Sequence, residues 1–268
     1  MLKYIRLFLL CTYILAAVGF LYSIMNPYKN TLYIGVDIYS APFCITTSAG
    51  ELKGFNIDVA YALGKALDSN IEFRILPLTS LHKNLIKGTI DAVIVPFNAN
   101  NEKNTQNVLL SNTYYTNGLS YLIFKDQPLE IDSISETKGI NICVLDKPFV
   151  LNFVRQNYYN ANILIYKSSS EATRALYKKD CTVIVDTRSS NEYFITKHRL
   201  NRIKSTLIDN AKAYHHEYKI AVRNNAHELA EEINRALNYL DATGQLERIH
   251  KKWFGTSRYE NTHKKQKK

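Results

Sequence analysis

The feature that most constrains the fold is a strand–loop–helix unit in residues Leu32 to Leu67. Its first residues alternate apolar and other side chains, which predicts a β-strand ending near Val36. Asn56 is placed to cap a following helix, whose apolar residues recur at helical spacing. A strand that leads into a helix begins an α/β layer, and ligands of open α/β sheets collect at the carboxyl ends of the strands. The loop after Val36 is therefore the first candidate site.

The alternation of strands and helices continues along the chain. Further strands are predicted at 71–76, 91–97, 119–124, 141–145, 163–166, 182–185 and 219–222, and helices at 80–87, 149–156, 171–178, 189–197 and 227–243, with a last helix running into KKWFG at 251–255. A second α/β unit inserted before the end of the first implies two lobes joined by two crossing strands. Tyr121 and Lys219 are expected in or near these hinges.

Composition and charge placement narrow the class of protein. With 46% hydrophobic and 22% charged residues, the 268-residue chain has the composition of a globular protein. The formal net charge is +10, of which Lys3 and Arg6 contribute +2 and the segment after Gly255 contributes +4, and 257–268 is predicted to be a solvated basic tail. No basic stripe interleaved with aromatic residues occurs elsewhere, which argues against nucleic-acid binding.

The first 25 residues have the pattern of an export signal. Lys3 and Arg6 precede an uncharged, mainly apolar run from Leu7 to Met25. A positive segment followed by an apolar one is typical of a signal peptide. We expect cleavage and export, and the alternative is an uncleaved membrane anchor, because the run is about as long as a bilayer is thick.

The cysteines and histidines predict neither a disulfide framework nor a metal site. After cleavage three cysteines would remain, Cys44, Cys143 and Cys181, and an odd, sparse set is not a framework. We expect buried thiols, with a bridge between Cys143 and Cys181 as the alternative, since each is placed in or beside a predicted strand. Metal-ligand spacings such as CxxC and HExxH are absent from the sequence, so no metal or other cofactor is expected.

Seven motifs, in order, resemble one known family over roughly Leu32 to Gly255. They are IGVDIYSAPF, GELKGFNIDVAYALGKAL, IKGTIDAVIVPF, SNTYYTNGLSYLI, VIVDTRSSNEYF, YKIAV and GQLERIHKKWFG. The chain is similar to the periplasmic solute-binding proteins of polar amino-acid ABC transporters, solute-binding family 3. The resemblance implies an α/β, two-lobed periplasmic-binding-protein fold (type II), with lobe 1 in 31–118 plus 222–256 and lobe 2 with the hinge strands in 119–221.

The family's ligand-binding positions carry over unevenly onto this chain. The aspartate that holds the ligand's α-amino group matches Asp186, and the alternative is that Asp186 caps the following helix. The stacking aromatic falls on Tyr39 or Ser40. Phe43 is a further ligand-binding candidate, with a core position as its alternative.

Two parts of the family's site differ in this sequence. The contacts after the strand DAVIVPF fall on Phe97 and Asn98, and the arginine that grips the α-carboxylate falls on or beside Lys103. Lysine supplies charge without a planar fork of donors, so this exchange is not conservative. The Gly-Thr-Thr loop that donates hydrogen bonds from lobe 2 is replaced by Asp146–Phe149 (DKPF), in which a proline removes one N–H.

The function implied by the resemblance is binding rather than catalysis. The expected protein is a monomer in the periplasm that closes on a small polar solute, an amino acid or a related compound, and delivers it to an ABC permease in the inner membrane. Two alternatives remain. One is a membrane-anchored sensing domain, and the other is an enzyme similar to cyclohexadienyl dehydratases, for which neither a general acid nor a carboxylate clamp is evident.

Overall fold

The structure is a computed structural model, and it describes residues 11–18, 30–38, 41–94, 107–127, 138–208, 211 and 214–258. Residues 11–18 are helical. Within these ranges, no helix is both long enough and apolar enough to cross a bilayer. Most of the predicted leader and of the basic tail lies outside the described residues.

The predicted helices and strands occur in the predicted order, and further strands that the sequence patterns did not predict lie between them. The strands are Asn30–Val36 (β1), Ile45–Thr46 (β2), Leu52–Lys53 (β3), Ser69–Ile75 (β4), Ala92–Val93 (β5), Val108–Leu110 (β6), Tyr115–Asn117 (β7), Leu119–Phe124 (β8), Asn141–Leu145 (β9), Asn162–Tyr166 (β10), Val183–Thr187 (β11), Ile203–Leu207 (β12), His216–Tyr218 (β13) and Ala221–Arg223 (β14). The helices are Phe55–Ala66 (α1), Leu78–Lys87 (α2), Pro148–Asn157 (α3), Ser169–Lys178 (α4), Arg188–His198 (α5), His227–Ala242 (α6) and Gln245–Phe254 (α7).

Ten of the described strands form two five-stranded sheets, the two hinge strands pair with each other between them, and β2 pairs with β3. The first sheet has the order β4-β1-β5-β14-β6 and belongs to lobe 1, and the second has the order β10-β9-β11-β8-β12 and belongs to lobe 2. Strands β7 and β13 pair antiparallel, and each is followed by the chain's passage from one sheet to the other. The two-lobed α/β architecture expected from the sequence is confirmed.

Both residues expected in or near the hinge lie close to the hinge strands. Tyr121 is fully buried inside β8 of the lobe-2 sheet, a few residues beyond the end of β7, so it lies near the hinge and not in it. Lys219 directly follows β13, as expected. The apolar run Leu119–Phe124 is continuous with the hinge in sequence, and only strand pairing shows where one ends and the other begins.

A cluster of aromatic rings fills lobe 1 beside the hinge. Phe43 and Phe55 lie 6.1 Å apart between ring centroids, and Phe43 also contacts the hinge residues Tyr115 and Tyr218 and the helix residue Phe254. The rings come from β7, β13, α1, α7 and the loop after β1. They therefore hold the hinge strands against the helices of lobe 1.

Helix ends follow local rules except at Asn56. Gly88 ends α2 in the left-handed conformation that the sequence predicts. The predicted cap at Asn56 is wrong, because Gly54 is the N-cap and Asn56 lies inside the first turn. Asn56 is fully buried, donates to the Ile94 carbonyl at 3.2 Å and accepts from the Tyr114 hydroxyl at 3.0 Å. Its amide thus connects α1 with two other segments of lobe 1.

Cys143 and Cys181 form a disulfide, so the expectation of buried thiols is wrong for this pair. Their Cα atoms lie 5.9 Å apart, and both residues are buried. Cys143 lies in β9 and Cys181 precedes β11, which pairs with β9 in parallel register. The bridge therefore connects neighbouring strands of lobe 2. Cys44 remains a buried free thiol.

Candidate functional site

The carboxyl ends of the parallel strands in both sheets lie toward the hinge. In lobe 2, Asp186 near the end of β11 pairs with Ser120, at the start of the strand that directly follows hinge strand β7. In lobe 1, Val93 at the end of β5 pairs with Ala221, at the start of the strand that follows hinge strand β13. Loops at these ends of the two sheets therefore face the region between the lobes, where ligands of α/β sheets collect.

Asp186 is a buried acid of this region, and its partner is a lysine of the same lobe. Lys147 Nζ donates to Asp186 Oδ1 at 2.7 Å and to Oδ2 at 2.8 Å. The Asp186 side chain is 2% exposed and the Lys147 side chain 32% exposed. The burial of a carboxylate is costly unless a cation and hydrogen bonds compensate it. Lys147 supplies this compensation from within the chain.

The remaining groups around the pair also have partners. The Thr187 N–H donates to Asp186 Oδ1 at 2.7 Å, and the Lys147 ammonium donates to Ser190 Oγ at 3.1 Å. The helix that follows, α5, is capped by Thr187, whose side-chain oxygen accepts from the Ser190 N–H. The alternative that Asp186 caps α5 is therefore wrong, because the next residue has that role.

Lys147 is a site residue that sequence reasoning recorded only as a departure from the family pattern. It lies two positions beyond the end of β9, and Asp186 lies near the end of the neighbouring parallel strand β11. Because parallel neighbours end at the same edge of a sheet, a lysine after one and an aspartate at the end of the other are placed to meet. The positions of these two residues at strand ends could have predicted the pair, but only with knowledge of which strands are neighbours in the sheet.

Hydrogen bonds connect the hinge to the start of α5. Asn117 of β7 accepts from the Ser189 N–H at 3.1 Å and donates to Ser189 Oγ at 3.0 Å. It also donates to the hydroxyl of Tyr218 in the other hinge strand, at 3.2 Å. Burial raises the pKa of Tyr218 to about 12, so this hydroxyl stays neutral. Ser189 is three residues beyond Asp186, so one short segment carries both the acid and the residue that bonds to the hinge.

A second buried ion pair lies on the hinge side of α5. Arg188 Nε donates to Glu192 Oε1 at 2.7 Å, and both side chains are less than a tenth exposed. The Arg188 N–H also donates to the Gly118 carbonyl beside the hinge, at 2.8 Å. The two opposite charges therefore compensate each other within one helix.

The other residues predicted for the site fall into two groups. Phe43 is 4% exposed within the aromatic cluster of lobe 1, so its position is the core one rather than that of a ligand-binding side chain. The remaining predicted residues lie outside the described ranges: Tyr39, Ser40, Phe97, Asn98 and Lys103. Of the predicted set, the structure therefore gives side-chain surroundings for Phe43 and Asp186.

In the described part of the chain, no cluster of three or more His, Cys, Asp or Glu side chains could hold a metal ion. Lys147 and Asp186 compensate each other's charge, and their chemistry is that of charge-assisted hydrogen bonding.

The chain is similar to known proteins in both sequence and structure. The family model of bacterial extracellular solute-binding proteins, family 3, matches residues 32–256. A putative ABC transporter arginine-binding protein of Escherichia coli is 25% identical over 235 residues, which cover 87% of this chain and 94% of that protein.

Two solved structures show the same fold. The substrate-binding protein of a polar amino acid ABC uptake transporter from Streptococcus thermophilus is 20% identical with a TM-score of 0.76, over 87% of this chain and 92% of that one. The L-cystine solute receptor of Neisseria gonorrhoeae, in its unliganded open conformation, is 18% identical with a TM-score of 0.73, over 85% of this chain and 94% of that one.

Proposed function

The chain belongs to the bacterial extracellular solute-binding proteins of family 3, and we propose that it captures an amino acid or a related small polar solute between its lobes. Ligand contacts from both lobes would stabilise a closed state, and the solute would then pass to an ABC permease. The relatives named above bind arginine, polar amino acids or L-cystine, according to their descriptions.

One observation supports this function above the others. The carboxyl ends of two separate sheets lie on either side of a pair of hinge strands, through the pairings of Asp186 with Ser120 and of Val93 with Ala221. A rotation about β7 and β13 would bring these ends together without disturbing either sheet. Hinge closure on a solute needs this arrangement.

We also propose that the protein works in the periplasm, as a monomer, after export by residues 1–25. The disulfide between Cys143 and Cys181 supports export, because disulfides persist in oxidising compartments and are rare in the cytosol. A binding role rather than an enzymatic one is supported by the family and by the satisfied charges of Asp186 and Lys147. An uncleaved leader would make the same two lobes an anchored sensing domain.

A thermal-shift screen of the exported protein tests the binding function. The panel contains the twenty common amino acids and a set of small organic acids. A solute present at about 100 times its dissociation constant adds about 2.7 kcal/mol to the free energy of unfolding, which raises Tm measurably. Small-angle X-ray scattering should show a smaller radius of gyration with the same compound. Binding without compaction contradicts hinge closure, and no stabilisation by any compound contradicts the proposed function.

A further inference from the structure

The ammonium group of Lys147 already fills the cation position in front of Asp186. An ammonium has three N–H donors, and Lys147 directs its donors to Asp186 Oδ1, Asp186 Oδ2 and Ser190 Oγ. Both Asp186 oxygens accept from this ammonium, and Oδ1 also accepts from the Thr187 N–H. A buried carboxylate with its charge compensated and both oxygens bonded does not need a second cation.

The lysine is also held in place by its backbone. It is the N-cap of α3, its N–H donates to the Leu145 carbonyl at 2.7 Å, and its own carbonyl accepts from the Leu151 N–H at 3.0 Å. Proline follows as the first residue of the helix, which restricts the backbone further. The backbone of Lys147 is therefore fixed, and it holds the side-chain ammonium close to Asp186.

A tethered cation is a strong competitor of a free one. A group joined by a short linker has an effective concentration on the order of millimolar or above. A ligand ammonium that needs Asp186 must first displace Lys147, and its apparent dissociation constant rises in inverse proportion to the fraction of protein in which Lys147 is displaced. If that fraction is about 1%, the apparent affinity falls about 100-fold.

We propose that Lys147 is a built-in occupant of the Asp186 cation position and that the solute bound by this protein lacks a cationic amine at that position. The favoured class is a small organic carboxylate with a neutral hydroxyl or carbonyl in place of the amine, such as a 2-hydroxy acid. A neutral group needs no acid opposite it. The N-terminus of α3, which begins beside Lys147, carries a partial positive charge and so also disfavours a second cation next to Asp186.

This inference rests on the proposed binding function, and matched pairs of compounds test it. Isothermal titration calorimetry compares L-lactate with L-alanine, L-malate with L-aspartate, 2-hydroxyglutarate with L-glutamate and 3-phenyllactate with L-phenylalanine. The exported wild-type protein should bind a 2-hydroxy acid at least about tenfold more tightly than the matching amino acid. Tighter binding of the amino acid would overturn the inference and leave the proposed function standing. Binding of neither class would overturn both.

Variants then assign the preference to Lys147. Lys147→Met removes the ammonium and keeps the length of the side chain, so the preference should shift toward the amino acid by at least about tenfold. Lys178→Met, at an exposed position on α4 of the same lobe, removes the same charge and should leave the preference unchanged. An equal shift in both variants, or none in either, would overturn the role of Lys147. If Lys147→Met does not fold, the wild-type comparison decides the matter alone.

Discussion

Asn117 in the hinge and Ser189 at the start of α5 are bonded to each other twice. The Asn117 carbonyl oxygen accepts from the Ser189 N–H at 3.1 Å, and its amide donates to Ser189 Oγ at 3.0 Å. The pair is buried and spans 72 positions of sequence. It joins the strand on which the lobes turn to the segment that carries Asp186.

Replacement of Asn117 by alanine should therefore destabilise the protein. The substitution removes both bonds to Ser189 and the bond to Tyr218, and it leaves a buried N–H without its acceptor. We expect a loss of about 2–4 kcal/mol in the free energy of unfolding, measured by urea titration. Asn225→Ala, at an exposed turn, is the control and should change the free energy by less than about 0.5 kcal/mol. Equal effects of the two variants would contradict the importance of the hinge bonds.

The energy of the Lys147–Asp186 pair can be measured with a double-mutant cycle. The cycle uses Lys147→Met, Asp186→Asn and the double variant. Because the carboxylate is buried and the ammonium only partly exposed, we expect a coupling energy of about 1–3 kcal/mol.

The pair Glu51–Lys53 provides the matched control for this cycle. Both of its side chains are more than half exposed, so solvent screens the attraction. Its coupling energy should be below about 1 kcal/mol in the same urea titrations. If the two cycles give the same value, the partner of Asp186 in solution is not Lys147.

Reduction of the disulfide should weaken lobe 2. The bridge closes a loop with a sequence separation of 38, which corresponds to roughly 4 kcal/mol in the chain-entropy account. We expect dithiothreitol to lower the urea midpoint of the wild-type protein. A Cys143→Ala/Cys181→Ala variant should start from the lower midpoint and show no further change with reductant. If dithiothreitol lowered the urea midpoint of both proteins, the effect would come from another thiol or from the reagent.

His250 should make stability depend on pH. The pKa of His250 is lowered from 6.5 to about 4, chiefly by burial and also by the nearby Arg188 and Arg258, and this includes the smaller opposing effects of the bond to the Thr256 carbonyl and of Glu247. Since a carbonyl only accepts, His250 Nδ1 carries the proton of the neutral ring.

The sign of this dependence follows from proton binding. Between pH 6.5 and 4 the unfolded chain binds a proton at His250 and the folded chain does not, so the contribution of His250 is full above pH 6.5 and is lost as the pH falls toward 4. The loss should be roughly 3 kcal/mol. Fluorescence of the single tryptophan, Trp253, reports unfolding close by. His250→Gln should remove this part of the slope, and an unchanged slope would contradict the assignment.

Gly54 should tolerate no side chain. Its φ is 152°, and a Cβ added there would overlap the carbonyl oxygen of Phe43. Gly54→Ala should therefore cost at least about 3 kcal/mol in urea titration, because backbone atoms must move. Gly50 also has a positive φ, of 81°, but a Cβ added there would have no atom within 4 Å, so Gly50→Ala should cost only about 1 kcal/mol. Similar losses at both glycines would contradict the steric argument.

Local patterns predicted most elements of the fold to within a few residues. The strands at Leu119–Phe124 and Asn141–Leu145 agree with the prediction at both ends, and α6 agrees to one residue. Six strands were not predicted: the short β2 and β3, and β6, β7, β12 and β13. Another error occurred where a side chain has a distant partner. Asn56 looked like a cap but binds Ile94 and Tyr114 across lobe 1.

The candidate site was predicted only in part, for the same reason. Asp186 was identified from its place after a buried strand and from the family resemblance. Its partner Lys147 could not be identified from the sequence, since the two residues are 39 positions apart and meet only because β9 and β11 are neighbours. Five other predicted site residues lie outside the described ranges, and their roles remain predictions.

The amino-acid sequence by itself determined the alternation of strands and helices, the two α/β units and the position of an acid at the end of a strand. These features depend on the spacing of apolar residues over a few turns or pleats, which is local information. Only the tertiary structure decided that Cys143 bonds to Cys181 and that Lys147 forms an ion pair with Asp186. Both contacts depend on which strands lie side by side and in what register, and periodicity within a strand does not specify its neighbour.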